Sequence, residues 1–135
     1  MREWDNEKLI MLKDNLIAEL SKQFALRIIK LYKYLLTDKK EFIMSKQVYR
    51  AGTSIGANIA ESKNAQSKAD FISKLSIALK EASETEYWLE LLCDSETISE
   101  KEFKSLSQGL NVIIGTLIKI IKKTKENMEA LETGK

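Results

Sequence analysis

The sequence predicts an all-α protein, an up-down-up-down four-helix bundle that forms a single domain over residues 1–135. The chain has no proline and only five glycines, so few residues interrupt a helix. Apolar residues recur every three or four positions in each long segment, which is typical of a helix face, and no segment alternates as a strand would. A content of 44% hydrophobic and 31% charged residues allows a buried core and excludes a disordered chain.

The first helix is predicted from about residue 13 to residue 36. The preceding residues 1–12, which include Trp4, would either extend this helix or form an arm against a neighbouring one. One face of the helix carries the apolar residues Ile17, Leu20, Phe24, Ile28, Leu31 and Leu35.

The second helix is predicted over residues 39–62. Asp38 and Glu41 stand three positions apart, which is the spacing of a capping box at a helix start. The core-facing residues of this helix would be Met44, Val48, Ile55 and Ile59.

Small residues crowd the middle of the second helix. Gly52 and Gly56 should each cost about 1 kcal/mol relative to alanine within a helix, so we expect the close approach of another helix to compensate. We predict an oligomer interface on this face, with packing inside one bundle as the alternative that stays open. The predicted interface residues are Thr53, Gly56, Ala57 and Ala60.

The third and fourth helices are predicted over residues 68–94 and 100–130, with residues 131–135 as a flexible C-terminus. Ser67 with Asp70, and Ser99 with Glu102, have the capping-box spacing at the two starts. The fourth helix carries two apolar lines, so we expect it to contact at least two helices and to be central to the core. The main core positions of the two helices are Phe71, Leu75, Ala78, Ala82, Leu89, Leu92, Phe103, Leu106, Leu110, Ile113, Leu117 and Ile120.

Most catalytic chemistry is excluded by composition. The chain has no histidine and a single cysteine, so a serine–histidine or cysteine–histidine nucleophile and a histidine-containing metal site are impossible. Acidic neighbours of Cys93 should raise its pKa and leave the thiol unreactive. Glu86 lies on an otherwise apolar helix edge, where it is a candidate partner for an arginine. We therefore predict a protein that is not an enzyme and binds no cofactor or metal.

Charge is unevenly distributed although the net charge is only +2. Residues 1–80 carry 15 Lys/Arg against 9 Asp/Glu, whereas residues 81–102 carry eight acids and one lysine. We favour complementary surfaces within a bundle or between copies. The alternative is a nucleic-acid-binding surface for structured RNA or a reverse-transcriptase complex. It would use the lysines Lys22, Lys30, Lys33, Lys63, Lys68, Lys119, Lys122, Lys123 and Lys125.

The sequence predicts a cytoplasmic protein with no membrane partner. The lone cysteine allows no internal disulfide, and the first 14 residues mix acids and bases without the apolar core of a signal peptide. The most apolar stretch, residues 110–121, is shorter than the roughly 20 residues that a membrane span needs.

The second and third helices resemble a known family. The segment QVYRAGTSIGANIAES at residues 47–62, followed by matching segments within residues 66–82, resembles the bacterial four-helix-bundle family named for the 23S rRNA intervening-sequence protein. The resemblance covers roughly residues 15–125. It departs from the family pattern at Gly56, where many members have proline, and at Ser62, where they have glycine.

The resemblance implies a homo-oligomer, with pentameric rings as the expected arrangement, and no enzymatic activity. It supplies no catalytic residues. A related branch of the family consists of strongly basic accessory proteins of diversity-generating retroelements, which bind reverse transcriptase and nucleic acid. The small net charge of +2 sets this chain apart from that branch.

Overall fold

The computed structural model describes residues 16–132, which fold into four α-helices without a strand. Their bounds are α1 Ile17–Thr37, α2 Met44–Ser62, α3 Lys68–Asp94 and α4 Glu100–Glu132. The predicted all-α four-helix architecture is confirmed. The predicted arm at residues 1–12 and the predicted helix start at residue 13 lie outside the described residues. At the other end of the chain α4 continues to Glu132, and residues 133–135 lie outside.

The helices pack as a closed ring, α1 on α2, α2 on α3, α3 on α4 and α4 on α1. Short connections make successive helices antiparallel. The connections 38–43 and 95–99 therefore lie at one end of the bundle, the upper end, and the connection 63–67 lies at the other, the lower end. The helices α1 and α3 are diagonal, so their outer faces lie on opposite sides of the bundle.

The fourth helix contacts two helices, as its two apolar lines predict. It contributes six buried apolar residues to the core, as many as α3, although α2 and α3 form the most extensive contact and α4 with α1 the least extensive. This difference follows from residue size, because the small residues of α2 allow closer packing than the long side chains between α1 and α4.

The buried core follows the predicted stripes, except that Met44 and Phe103 are only half-buried against it and that one position of α1 differs. Leu20 is 36% exposed, whereas the neighbouring Ser21 is buried. The Ser21 hydroxyl donates a hydrogen bond to the carbonyl oxygen of Ala18 at 3.0 Å, which satisfies its donor inside the protein. A Cβ atom built on Gly56 would lie 3.4 Å from the Ser21 carbonyl and hydroxyl oxygens, so α2 approaches α1 too closely here for leucine.

The predicted caps at the starts of α3 and α4 both form, although only the one at α4 is a complete capping box. The Ser67 hydroxyl accepts a hydrogen bond from the Asp70 amide at 3.1 Å. At the start of α4 the bonds are reciprocal: Ser99 Oγ accepts from the Glu102 amide, and Glu102 Oε1 accepts from the Ser99 amide, each at 3.1 Å. These bonds satisfy amide groups that a helix start leaves without partners.

The predicted start of the second helix at residue 39 is wrong, because Asp38 belongs to the end of α1. The Asp38 amide donates to the Tyr34 carbonyl at 2.8 Å, and Lys40 then takes a left-handed backbone conformation with φ 53°. The side chain that serves α2 is Glu41, whose Oε1 accepts from the amides of Ile43 at 3.1 Å and Ser45 at 2.8 Å. The helix therefore starts at Met44.

Candidate interaction surfaces

The two glycines of α2 lie against α1 of the same chain. A Cβ atom on Gly52 would stand 2.7 Å from Ile28 Cγ1 and 2.9 Å from Ile28 Cγ2, closer than real side chains allow. Gly56 faces the backbone of Ser21 at ordinary contact distance. The close helix approach expected from these glycines is therefore present, and it occurs inside the bundle.

The remaining predicted interface residues border an open groove between α1 and α2, here called the small-residue groove. Ala57 and Ala60 are exposed, and Thr53 is half-buried with its hydroxyl donating to the Tyr49 carbonyl at 2.8 Å. Most of its lining residues are small, so few side chains must move when another helix packs into it. Its lining is Ala18, Glu19, Ser21, Lys22, Ala25, Thr53, Gly56, Ala57, Ala60 and Lys63.

A second groove, the basic groove, lies on the other side of α1, between α1 and α4. Arg27 crosses it, donating from one guanidinium nitrogen to Ser105 Oγ at 2.7 Å and from the other to the Ser105 carbonyl at 3.3 Å. Gly109 leaves room for this arrangement, since a Cβ there would be 3.2 Å from Arg27 Nη1. The groove combines apolar residues with three cations and one acid; its lining is Arg27, Lys30, Leu31, Tyr34, Lys101, Glu102, Ser105 and Leu106.

The basic groove is not predicted by the sequence pattern. Arg27 and Lys101 are 74 positions apart, and only the packing of α4 on α1 brings them to one surface. One signal in the sequence was available, because Gly109 in the middle of an otherwise good helix indicates a close approach by another group.

The structure does not bring the nine predicted nucleic-acid lysines to one surface. Lys22 and Lys63 line the small-residue groove, and Lys30 lines the basic groove. Lys122 and Lys125 line a third groove, between α3 and α4, together with Leu79, Ile118 and Ile121. The others lie outside the three grooves: Lys33, Lys119 and Lys123 are exposed, and Lys68 is half-buried at the start of α3.

Two carboxylates of α3, those of Glu81 and Glu84, pair with Arg50, whereas Glu86 does not. Arg50 on α2 forms ion pairs with Glu84 and, at 3.4 Å, with Glu81. The hydrogen bond and charge of Glu84, followed by the charge of Glu81, raise the pKa of Arg50 above its usual value. Glu86 is half-buried on the neighbouring edge of α3 and pairs with neither Arg27 nor Arg50. Its predicted role as a buried arginine partner is not found among residues 16–132.

The lone thiol is held in its neutral form. Cys93 is half-buried near the end of α3, and its pKa is raised above 9.0, first by burial and then by the charges of Asp94 and Glu100. A thiol needs a lowered pKa to act as a nucleophile at neutral pH. Within the part of the chain that the structure describes, no cluster of three or more metal-ligating side chains occurs.

Charge separates across the bundle. The helix α1 carries four cations and one acid, while the carboxyl half of α3, residues 81–94, carries five acids and no cation. Because α1 and α3 are diagonal, a basic side and an acidic side face in opposite directions. None of the four helices, as far as they are described, has an apolar stretch that would cross a bilayer.

The comparisons with known proteins agree on one family. The model of the 23S rRNA-intervening sequence protein family matches residues 13–119. A solved structure of a protein with unknown function from the S23 ribosomal protein family of Bacteroides thetaiotaomicron is 56% identical in sequence. The match covers 82% of this chain and 98% of that one, with a TM-score of 0.80. No curated protein is significantly similar to the chain.

The family match extends over all of α1, α2 and α3 and about the first three-fifths of α4, so it includes both grooves that border α1. The similar solved structure carries no assigned function, and catalysis is indicated neither by that relative nor by the described site residues. On the evidence of the family model and of this structure, the chain belongs to the 23S rRNA-intervening sequence protein family.

Proposed function

We propose that this protein is a non-enzymatic, self-assembling interaction module whose copies associate through the small-residue groove. The observation that carries the proposal is the exposure of Ala57 and Ala60 beside Gly56, at a place where α1 and α2 already pack closely. Small side chains lose little conformational entropy on binding, and a groove lined mostly by small residues admits the ridge of another helix. The family resemblance favours a closed ring of five copies.

The absence of histidine from the whole sequence and the neutral Cys93 thiol support a function without catalysis. What remains is a rigid helical body with differently charged sides, which suits a protein that presents surfaces to partners. The proposed partner in the first instance is a second copy of the same chain.

Light scattering after size exclusion tests the assembly directly. At tens of micromolar we expect a mass near five times the 15.4 kDa of one chain. A mass of 15.4 kDa at that concentration would contradict the proposal, and a stable oligomer of another size would correct the number of copies.

The groove is tested by substitution. Ala57→Glu places a long charged side chain where the groove must close on a partner, so we expect the variant to remain helical and to dissociate. The matched control is Ala69→Glu, which changes another exposed alanine, on α3, outside the groove. If both variants assemble like the original protein, the small-residue groove is not the interface.

A second candidate function is binding of structured RNA or of a reverse-transcriptase complex. One observation favours it: antiparallel packing places Lys22, Lys63, Lys68 and the lysines of residues 119–125 in the lower half of the bundle. A mobility shift with structured RNA at 50 and 200 mM salt tests it, because phosphate contacts weaken steeply with salt. The RNA mobility shift should be lost in a variant in which Lys119, Lys122, Lys123 and Lys125 are all changed to Gln. It should be kept in the control variant Lys80→Gln. This pair of results would support RNA binding.

A further inference from the structure

Among residues 16–132, the basic groove carries more cations than acids, whereas the opposite side of the bundle carries an excess of acids. Arg27, Lys30 and Lys101 outnumber the single acid Glu102 along the groove, and Leu31, Tyr34 and Leu106 supply its apolar part. A partner for this surface should carry carboxylates around an exposed apolar or aromatic group.

The outer face of α3 has this chemistry. Tyr87, Glu90 and Asp94 lie at positions separated by three and four residues, so they share one helix face. Tyr87 is 54% exposed and both acids are exposed, while no cation occurs in residues 81–94. Large aromatic side chains flanked by charge are frequent anchors of protein interfaces.

The two surfaces also lie at similar heights in the bundle. Glu90 is four residues before the end of α3, about 6 Å below the upper end, and Lys30 is seven residues before the end of α1, about 10 Å below it. Lys101 is the second residue of α4, at the same end. A neighbouring copy whose helices run parallel to those of the first can therefore place its acids against these lysines. The two copies are then related by a rotation about an axis parallel to the bundle, without a shift along it.

We propose that the α3 face formed by Tyr87, Glu90 and Asp94 docks in the basic groove of a second copy. The inference rests on the proposed self-assembly and specifies its geometry: a head-to-tail contact between two different surfaces, which closes into a ring when the rotation between copies permits. The basic groove and the small-residue groove lie on the two flanks of α1, so both border the α1 side of the bundle. The helix α3 lies diagonally opposite, on the other side.

Charge reversal provides the test, read by sedimentation velocity over a range of concentrations. Lys30→Glu and Glu90→Lys should each raise the dissociation constant by about tenfold or more, because each places like charges together across the contact. The double variant Lys30→Glu with Glu90→Lys restores opposite charges and should return the dissociation constant to near its original value. Lys46→Glu, an exposed lysine of α2 outside both grooves, is the matched control and should assemble normally.

Cysteine pairing checks the contact without relying on charge. In a Cys93→Ser background, a protein with Lys30→Cys mixed with one carrying Glu90→Cys should form an intermolecular disulfide under mild oxidation. Neither protein alone should do so, since position 30 does not meet position 30 in a head-to-tail contact. Disulfides formed by each protein alone would overturn the proposal.

The outcomes separate this inference from the proposed function. A monomeric original protein overturns both. An original protein that assembles, with neither charge reversal nor cysteine pairing detecting the contact, overturns the docking geometry and leaves self-assembly standing. Loss of RNA retention in Lys30→Glu without loss of assembly would assign the basic groove to nucleic acid and overturn the proposal.

Discussion

At the residue scale, Gly52 and Gly115 should respond in opposite ways to alanine. Gly52→Ala forces a Cβ atom into Ile28, so we expect a loss of about 1–3 kcal/mol in the free energy of unfolding. Gly115 has no atom within 4 Å of its Cβ position, so Gly115→Ala should stabilise α4 by up to about 1 kcal/mol. Urea denaturation at one fixed protein concentration measures both; a neutral Gly52→Ala would show that α1 and α2 can separate without cost.

Cys93 gives a prediction about pH. Because burial and neighbouring acids raise its pKa, the rate of alkylation by iodoacetamide should rise with pH through a midpoint higher than that of a cysteine in a short unstructured peptide. Asp94→Asn removes one of the charges that disfavour the thiolate, so it should move this midpoint to lower pH. A midpoint at or below that of the peptide cysteine would contradict the structural account.

Individual residues also mark where sequence reasoning succeeded and where it could not. The glycines at positions 52 and 56 predicted a close contact between helices, and the acids near Cys93 predicted a raised pKa for its thiol. Spacing along one helix could not identify which helix Gly52 meets, nor that Arg50 would pair with Glu81 and Glu84 and leave Glu86 aside. Those facts depend on how α2 is positioned against its neighbours.

At the element scale, the start of α2 depends on Glu41. Glu41→Ala removes the acceptor for two amides, so we expect a loss of about 0.5–2 kcal/mol in stability, as for other helix-start caps. Asp38→Ala is the control, because within residues 16–132 the Asp38 side chain accepts a hydrogen bond from the Thr37 hydroxyl and from no α2 amide. Chemical denaturation measures the free energy of unfolding of both variants. A larger loss for Asp38→Ala than for Glu41→Ala would show that Asp38 caps α2, as the sequence predicted.

The core face of α4 provides a second element-scale prediction. Leu110 and Leu117 are fully buried, so Leu110→Ala and Leu117→Ala should each cost about 2–5 kcal/mol. Val112 on the same helix is 54% exposed, and Val112→Ala should change stability by less than about 0.5 kcal/mol. Thermal and urea unfolding give the comparison, and a negligible effect at either leucine would mean that α4 is peripheral to the core.

Helix periodicity was enough to predict the fold class and most helix bounds. The starts of α3 and α4 agree with prediction because Ser67 and Ser99 carry caps that are local in sequence. The start of α2 was missed because Asp38 and Glu41 have capping spacing as well, while the left-handed turn at Lys40 assigns the first of them to α1. Local patterns cannot decide between two helices that compete for the same residue.

At the scale of the whole molecule, the basic side of α1 and the acidic side of α3 predict an assembly that weakens with salt. Exposed charges are screened over about 10 Å at 0.1 M ionic strength and about 3 Å at 1 M. We therefore expect the dissociation constant measured by sedimentation to rise between 50 mM and 500 mM sodium chloride. Assembly that strengthens with salt would instead point to an interface dominated by apolar burial.

The candidate surfaces show the limit of sequence reasoning for the whole molecule. Periodicity indicates which residues of one helix share a face, but a groove is formed by two helices and depends on their relative rotation. The small-residue groove was predicted in part, because four of its lining residues, Thr53, Gly56, Ala57 and Ala60, lie on one face of α2. The basic groove was not predicted, because its cations are divided between α1 and α4 and neither helix alone carries an unusual cluster of charge.

The even number of antiparallel helices has a consequence for protein engineering. The start of α1 and the end of α4 belong to adjacent helices, whose axes are typically about 8–10 Å apart. Since α4 is 33 residues long and α1 only 21, the end of α4 lies about 18 Å farther along the bundle. A flexible linker of about eight residues from Glu132 to Ile17 spans that distance, so the four-helix body of residues 17–132 can be circularly permuted and reopened at the connection 95–99 with all four helices intact.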